Sequence, residues 1–287
     1  MGLKHKDLIS INQLSVEEIQ EILTLARQMR DQVRSMKQTE DLRGVTVVNL
    51  FYENSTRTRS SFELAAKYQG ANVLNISASS SSVQKGEGLI DTAQTINAYY
   101  PDVIVMRHPN SGAHELLSKH VNAHVINAGD GSHAHPTQTL TDLLTIKREL
   151  GRLDDLTIGF CGDLKFGRTV HSLIKALSRR TGIKVILIAP EELRLPDYIR
   201  HEVCDKYGVP TVEVRTMEEV MPELDILYMT RVQKERFLDE EEFERVKDSF
   251  VLTPEKLETA KKEMVVLHPL PRVNEITRAV DNDPRAA

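Results

Sequence analysis

Short apolar runs alternate with helically patterned stretches along the whole chain. The runs fall at Val45–Phe51, Val73–Ile76, Val103–Met106, His124–Ile126, Thr157–Phe160, Lys184–Ile188, Thr211–Val214, Ile226–Met229 and Met264–Leu267. Each has the length of a strand, and helical stretches separate them, so the alternation predicts parallel strands covered by helices. A chain of 287 residues has room for two such units. The reading is an α/β protein of two doubly wound parallel-sheet α/β domains. A helix opening at Pro136 connects them, with residues 1–135 in one domain and 136–287 in the other.

Helix boundaries are marked by local chemistry. Ser15 and Glu18 form a capping box that opens an amphipathic helix with Ile19, Ile22, Leu23 and Leu25 on its apolar side, running toward Ser35. A second helix starts after Ser55, carries Phe62, Leu64, Ala65, Ala66 and Tyr68, and ends at Gly70. Pro136 suits a first helical position, Leu140, Leu143, Leu144 and Leu150 give that helix an apolar side, and Gly151 closes it. The serine run at 77–82 reads as a mobile surface loop.

Composition excludes several classes. With 40% hydrophobic and 28% charged residues, 14 glycines and 11 prolines, the chain is neither mainly disordered nor of low complexity. Its apolar runs fall far short of the roughly 18 residues a membrane-spanning helix needs. The start, Met-Gly-Leu-Lys-His-Lys-Asp, has no apolar core or cleavage site of a secretory signal, so a cytoplasmic location is expected. Cys161 and Cys204 lack C-x-x-C spacing and read as reduced thiols. His124, His133 and His135 show no H-x-x-x-H or H-E-x-x-H spacing among themselves, and no carboxylate but Asp130 stands beside them, so no metal is expected. A net charge of −5 gives nucleic acid no global attraction and leaves room for a small anionic ligand.

The chemistry gathers at strand ends, where open α/β sheets bind ligands. In Phe51-Tyr-Glu-Asn-Ser-Thr-Arg-Thr-Arg, a buried strand delivers Ser55, Thr56, Arg57 and Thr58 to a helix N-terminus. Backbone N–H groups without partners, the helix dipole, hydroxyls and a guanidinium together suit a phosphate. The plainer alternative is that Asn54 or Ser55 only caps the helix. Arg107 leaves the end of another strand, and His135 and Gln138 flank the start of the Pro136 helix on the same edge. His135 suits donation to an oxygen that gains charge and Gln138 suits an amide, with simple capping as the alternative for His135. A serine cluster with Lys85 lies on a glycine-rich segment able to close over a phosphate. In the second half, Gly159-Phe-Cys-Gly-Asp-Leu-Lys-Phe-Gly-Arg lacks the G-x-G-x-x-G spacing and the ribose-binding acid of a dinucleotide site. Arg168 and Arg231 can hold a dicarboxylate, one guanidinium to each carboxylate, and His268-Pro-Leu-Pro-Arg is a stiff turn.

These strings, in this order, resemble the aspartate carbamoyltransferases from the first helix to the end of the chain. Ser-Thr-Arg-Thr-Arg fits any carbamoyltransferase. Lys85-Gly-Glu, Gly162-Asp-Leu-Lys-Phe-Gly-Arg-Thr, Thr230-Arg-Val-Gln-Lys-Glu-Arg and His268-Pro-Leu-Pro-Arg favour aspartate, because an ornithine enzyme typically carries a His-Cys-Leu-Pro turn. The resemblance implies transfer of a carbamoyl group from carbamoyl phosphate to L-aspartate in pyrimidine biosynthesis, without a cofactor, in the cleft between the two domains. It makes the first domain the carbamoyl-phosphate-binding one and the second the aspartate-binding one. Ser55, Thr56, Arg57, Thr58 and Arg107 would bind the phosphate, and Thr58, Arg107 and His135 would polarise the carbonyl. Gln138 and the backbone at Pro269 and Leu270 would hold the carbamoyl amine, while Arg168, Arg231, Gln233 and Lys85 would serve aspartate. Ser81 and Lys85 would reach in from the neighbouring chain of a homotrimer, and some members also bind separate regulatory chains.

Members usually continue past Asp281-Asn-Asp-Pro-Arg-Ala-Ala into a closing helix. If Ala287 is the true end, exposed apolar surface on the first domain and lower stability or activity are expected. Two rival readings are a carbamoyltransferase with another amino-acid acceptor and a non-catalytic subunit. Arg168 and Arg231 disfavour lysine or ornithine as acceptor, and the joint presence of Thr58, Lys85, Arg107, His135 and Arg231 disfavours a non-catalytic chain.

Overall fold

The computed structural model describes residues 2–35, 37–77, 85–233, 237, 239–246 and 250–287. The chain divides into two units, Met1–Leu140 and Thr141–Ala287. Each is built on one all-parallel sheet.

In the first unit α1 (Val16–Arg34) opens on the expected capping box: the Ser15 hydroxyl accepts from the Glu18 N–H at 3.1 Å, and Glu18 accepts from the Ser15 N–H at 2.7 Å. Ile19 and Leu23 are buried, but Leu25 is 50% exposed, because two residues beyond Leu23 the helix has turned that position to the far side. The strands are β1 (Thr46–Phe51), β2 (Asn72–Ser77), β3 (Val103–His108) and β4 (His124–Asp130), in the order β2-β1-β3-β4. The helices between them are α2 (Thr56–Tyr68), α3 (Leu89–Asn97) and α4 (Ala113–Ser118). Successive residues of β1 feed opposite faces. Val48 and Leu50 pack with Ile96 and Leu117, and Val47 and Phe51 with Ala66 and Ala128.

Gly70 ends α2 as expected, at φ +81°. The Gly70 and Ala71 N–H groups donate to Lys67 and Ala66, and an added Cβ would lie 3.2 Å from the Thr39 carbonyl. The apolar face of α2 is narrower than the sequence suggests. Ala66 is buried and Phe62 packs on the core, while Leu64 is 53% exposed and Ala65 is exposed.

The next helix, α5 (Pro136–Leu150), spans the boundary between the units and buries Thr139, Asp142, Leu143 and Ile146. Leu140, Leu144 and Leu150 are only half-buried. The second sheet joins β5 (Thr157–Cys161), β6 (Lys184–Ile188), β7 (Thr211–Val214), β8 (Ile226–Met229) and β9 (Val265–Leu267) in the order β7-β6-β5-β8-β9. Its helices are α6 (Arg168–Leu177), α7 (Asp197–Ile199) and α8 (Glu240–Val246). One side of this sheet packs Ile186, Ile188, Leu227 and Met229 with Met217, Leu224, Leu252 and Leu257.

Both sheets reverse direction beside their first strand. The chain runs outward from β1 to β2, then crosses to β3 and β4 on the other side; β5 stands in the same relation to β6, β7 and to β8, β9. Such reversals leave crevices outside the strand ends at β1/β3 and β5/β8, where open α/β sheets take their ligands.

Candidate active site

The β1/β3 crevice carries the first group of expected residues. Beyond β1 the Tyr52 N–H donates to the Arg107 carbonyl at 2.9 Å, so the two strand ends leave the sheet together. Arg107 lies over the head of α2. Its Nε donates to Glu53 at 2.9 Å, and a terminal nitrogen donates to the Ser55 hydroxyl at 3.3 Å. Ser55 stands at the N-cap of α2 but makes no side-chain cap bond, so its hydroxyl serves Arg107, and capping alone does not account for it. Thr56 and Arg57 are exposed and Thr58 is half-buried. The Ser55 hydroxyl and the Arg107 guanidinium thus meet at the first turn of a helix, whose backbone N–H groups complete a combination suited to a phosphate.

His135 is buried at the head of α5, with the Thr137 hydroxyl 3.4 Å from its Nδ1, and Gln138 is half-buried one turn on. The turn leading to His135 is tied to the end of β3 by a hydrogen bond from the Gly131 N–H to the His108 carbonyl at 3.0 Å. Lys85 is exposed ahead of α3, and Glu87 accepts from the Thr92 hydroxyl at 2.6 Å. Ser81 lies outside the described residues.

The β5/β8 crevice carries the second group. Arg168 is the first residue of α6, and Arg231 and Gln233 follow β8; all three are half-buried. Asp163, whose role the sequence did not disclose, joins their two segments. Its carboxylate accepts from the Phe166 N–H at 2.9 Å and from the Gln233 N–H at 3.4 Å, and the Gln233 amide donates to the Phe166 carbonyl at 3.2 Å. Burial pushes the Asp163 carboxyl up to about 6, partly offset by the N–H groups of Phe166 and Gln233. Gly162, at φ +115°, lets the segments touch: a Cβ there would lie 2.2 Å from the Thr230 carbonyl oxygen.

The turn after β9 is braced by Glu275. It accepts from His268 Nε2 at 2.7 Å and from the Val273 and Asn274 N–H groups at 3.1 Å, while the Leu270 N–H donates to His268 Nδ1 at 2.8 Å. The Leu270–Pro271 bond is cis and Leu270 sits at φ +56°.

The geometry of each half has counterparts in known proteins. Residues 6–148 match the carbamoyl-P binding domain of the aspartate/ornithine carbamoyltransferases, and residues 154–287 match their Asp/Orn binding domain. The aspartate carbamoyltransferase catalytic subunit of Lachnoclostridium phytofermentans is 57% identical over 98% of this chain and 91% of its own length. That of Clostridium acetobutylicum is 52% identical over 99% of this chain and 92% of its own. Among solved structures, the aspartate transcarbamoylase of Trypanosoma cruzi in complex with carbamoyl phosphate and aspartate superposes with a TM-score of 0.94. It is 40% identical and covers 99% of this chain and 91% of that one. The chain therefore belongs to the aspartate/ornithine carbamoyltransferase family, among its aspartate carbamoyltransferases.

Proposed function

We propose that the protein transfers the carbamoyl group of carbamoyl phosphate to the amino group of L-aspartate, giving N-carbamoyl-L-aspartate and phosphate for pyrimidine biosynthesis. The observation that carries this reading is the Arg107 guanidinium held against Ser55 at the head of α2, an anion cradle at the β1/β3 crevice.

Ser55, Thr56, Arg57, Thr58 and Arg107 bind the phosphate in this scheme. Thr58, Arg107 and His135 draw charge onto the carbonyl oxygen, and Gln138 with the Pro269 and Leu270 carbonyls holds the carbamoyl NH2. Arg168, Arg231 and Gln233 hold the aspartate carboxylates, with Asp163 fixing the segments that carry them. The neutral amine attacks the carbamoyl carbon, the bond from that carbon to the phosphate oxygen breaks, and the departing phosphate takes the amine proton. An acyl phosphate is already activated, so positioning and charge stabilisation suffice, and the reaction calls for no covalent nucleophile.

Lys85, together with Ser81, completes the site of an adjacent chain in a homotrimer. Lys85 is exposed ahead of α3, as a residue that serves a neighbouring chain must be before assembly. No described helix is long and apolar enough to cross a membrane.

The test is formation of a ureido product from carbamoyl phosphate with L-aspartate, beside L-ornithine and L-lysine. Product with aspartate alone is expected. Product with another acceptor alone overturns the specificity, and no product from folded trimer overturns the reaction.

A further inference from the structure

The β4 strand ends at Asp130, which is 1% exposed and belongs to none of the groups assigned to substrate above. Its carboxylate gathers three donors from two turns. One oxygen accepts from the Ala134 N–H at 2.8 Å; the other accepts from the Gly112 N–H at 3.3 Å and lies 3.2 Å from His133 Nδ1, which against a carboxylate donates. Gly112 closes the turn that follows Arg107 and His108, and Ala134 immediately precedes His135. The turns are in close contact. Gly131, at φ +50°, leaves no room for a Cβ, which would lie 2.7 Å from the Pro109 carbonyl and 2.8 Å from the Ser111 hydroxyl.

We propose that Asp130 is a positioning residue for carbamoyl transfer: its ionised carboxylate clamps the turn after Arg107 to the turn before His135, and so sets the spacing of the two groups that polarise the carbonyl. The inference rests on the assignment of Arg107 and His135 made above.

The side chain has to be a carboxylate. An amide offers a single acceptor oxygen, and its NH2 would face either the Ala134 N–H or the Gly112 and His133 donors. The ion is maintained despite burial. Burial raises the carboxyl pKa, but the hydrogen bond and charge of His133, the charge of His114 and the Gly112 N–H hold it below the usual carboxylate value. His133 is 47% exposed in its side chain, so it can be exchanged with little cost to the core.

The experiment measures steady-state kinetics of the full chain in Asp130→Asn, His133→Leu and His133→Asn, with Arg107→Ala and His135→Ala as references, each normalised to folded protein. Asp130→Asn is expected to lower kcat at least about tenfold and to raise KM for carbamoyl phosphate, because misplaced polarising groups weaken the transition state. KM for aspartate at saturating carbamoyl phosphate should stay within about twofold of the parent. His133→Leu should move the same constants less far, and His133→Asn, whose amide can donate to Asp130, should restore them. A folded Asp130→Asn protein with parental constants overturns the clamp while Arg107→Ala and His135→Ala remain impaired. If Asp130→Asn does not fold, parental constants in both His133 variants overturn it. Parental kinetics in Arg107→Ala and His135→Ala overturn instead the assignment on which the clamp rests.

Discussion

The guanidinium of Arg107 meets Glu53 on one side and Ser55 on the other, and the part proposed for it in the reaction is electrostatic. Arg107→Ala should lower kcat about 100-fold or more, since one donor to a developing oxyanion is worth that much; parental kcat in a folded variant would reject the role. Arg231→Ala should instead raise KM for aspartate and leave KM for carbamoyl phosphate near the parental value. Asp163 makes a different prediction. Its carboxyl titrates near 6 in the folded chain against an ordinary value of 3.8, so the folded state holds the proton more tightly than the unfolded one. The stability this brings is complete below the lower value and is lost as pH rises through the upper one, a loss of up to about 3 kcal/mol. Urea midpoints measured from pH 4 to 7 should therefore show a component that falls with pH in the parent and disappears in Asp163→Asn. An identical pH trend in both proteins would count against it. None of this was visible in the sequence, where Asp130 and Asp163 stand inside the strings but carry no mark separating them from solvated acids.

At the scale of elements, glycines and caps decide how closely segments approach. Gly162 is the tightest case. Gly162→Ala would place a methyl 2.2 Å from the Thr230 carbonyl in a backbone conformation that L-residues avoid, forcing the Asp163–Phe166 segment away from Arg231 and Gln233. A stability loss on the order of 2 kcal/mol and a raised KM for aspartate are expected, read from urea unfolding and kinetics. Ser15→Ala removes half of the α1 capping box and should cost about 1 kcal/mol with no change in kinetics, because that helix end touches no assigned group. The capping box was legible because its partners are three residues apart; the outward positions of Leu25 and Leu64 were not, since periodicity names an apolar side without saying how much of it a neighbour covers.

At the scale of the whole molecule, the proposed sharing of sites within a trimer carries a quantitative prediction. Arg57→Ala and Lys85→Ala chains should each be nearly inactive alone, while a mixture reassembled in equal amounts should recover about a quarter of wild-type activity, since each mixed ring regains one intact site. Mixed trimers without activity would place both residues in the same site of one chain. The sequence by itself determined the alternation of strands and helices, the helix starts at Ser15 and Pro136, and the strings that place charge at strand ends. All of these are written in residues a few positions apart, within reach of a pleat, a helical turn or a cap. Only the tertiary structure decided that β1 neighbours β3 and β5 neighbours β8, which puts Ser55 and Arg107 at one crevice and the segments of Arg168 and Arg231 at the other, and that Asp163 meets Gln233 across 70 residues of sequence. Strand order and long-range hydrogen bonds depend on which surfaces bury one another when the chain closes, and local periodicity records only that a surface is apolar, not which partner will cover it.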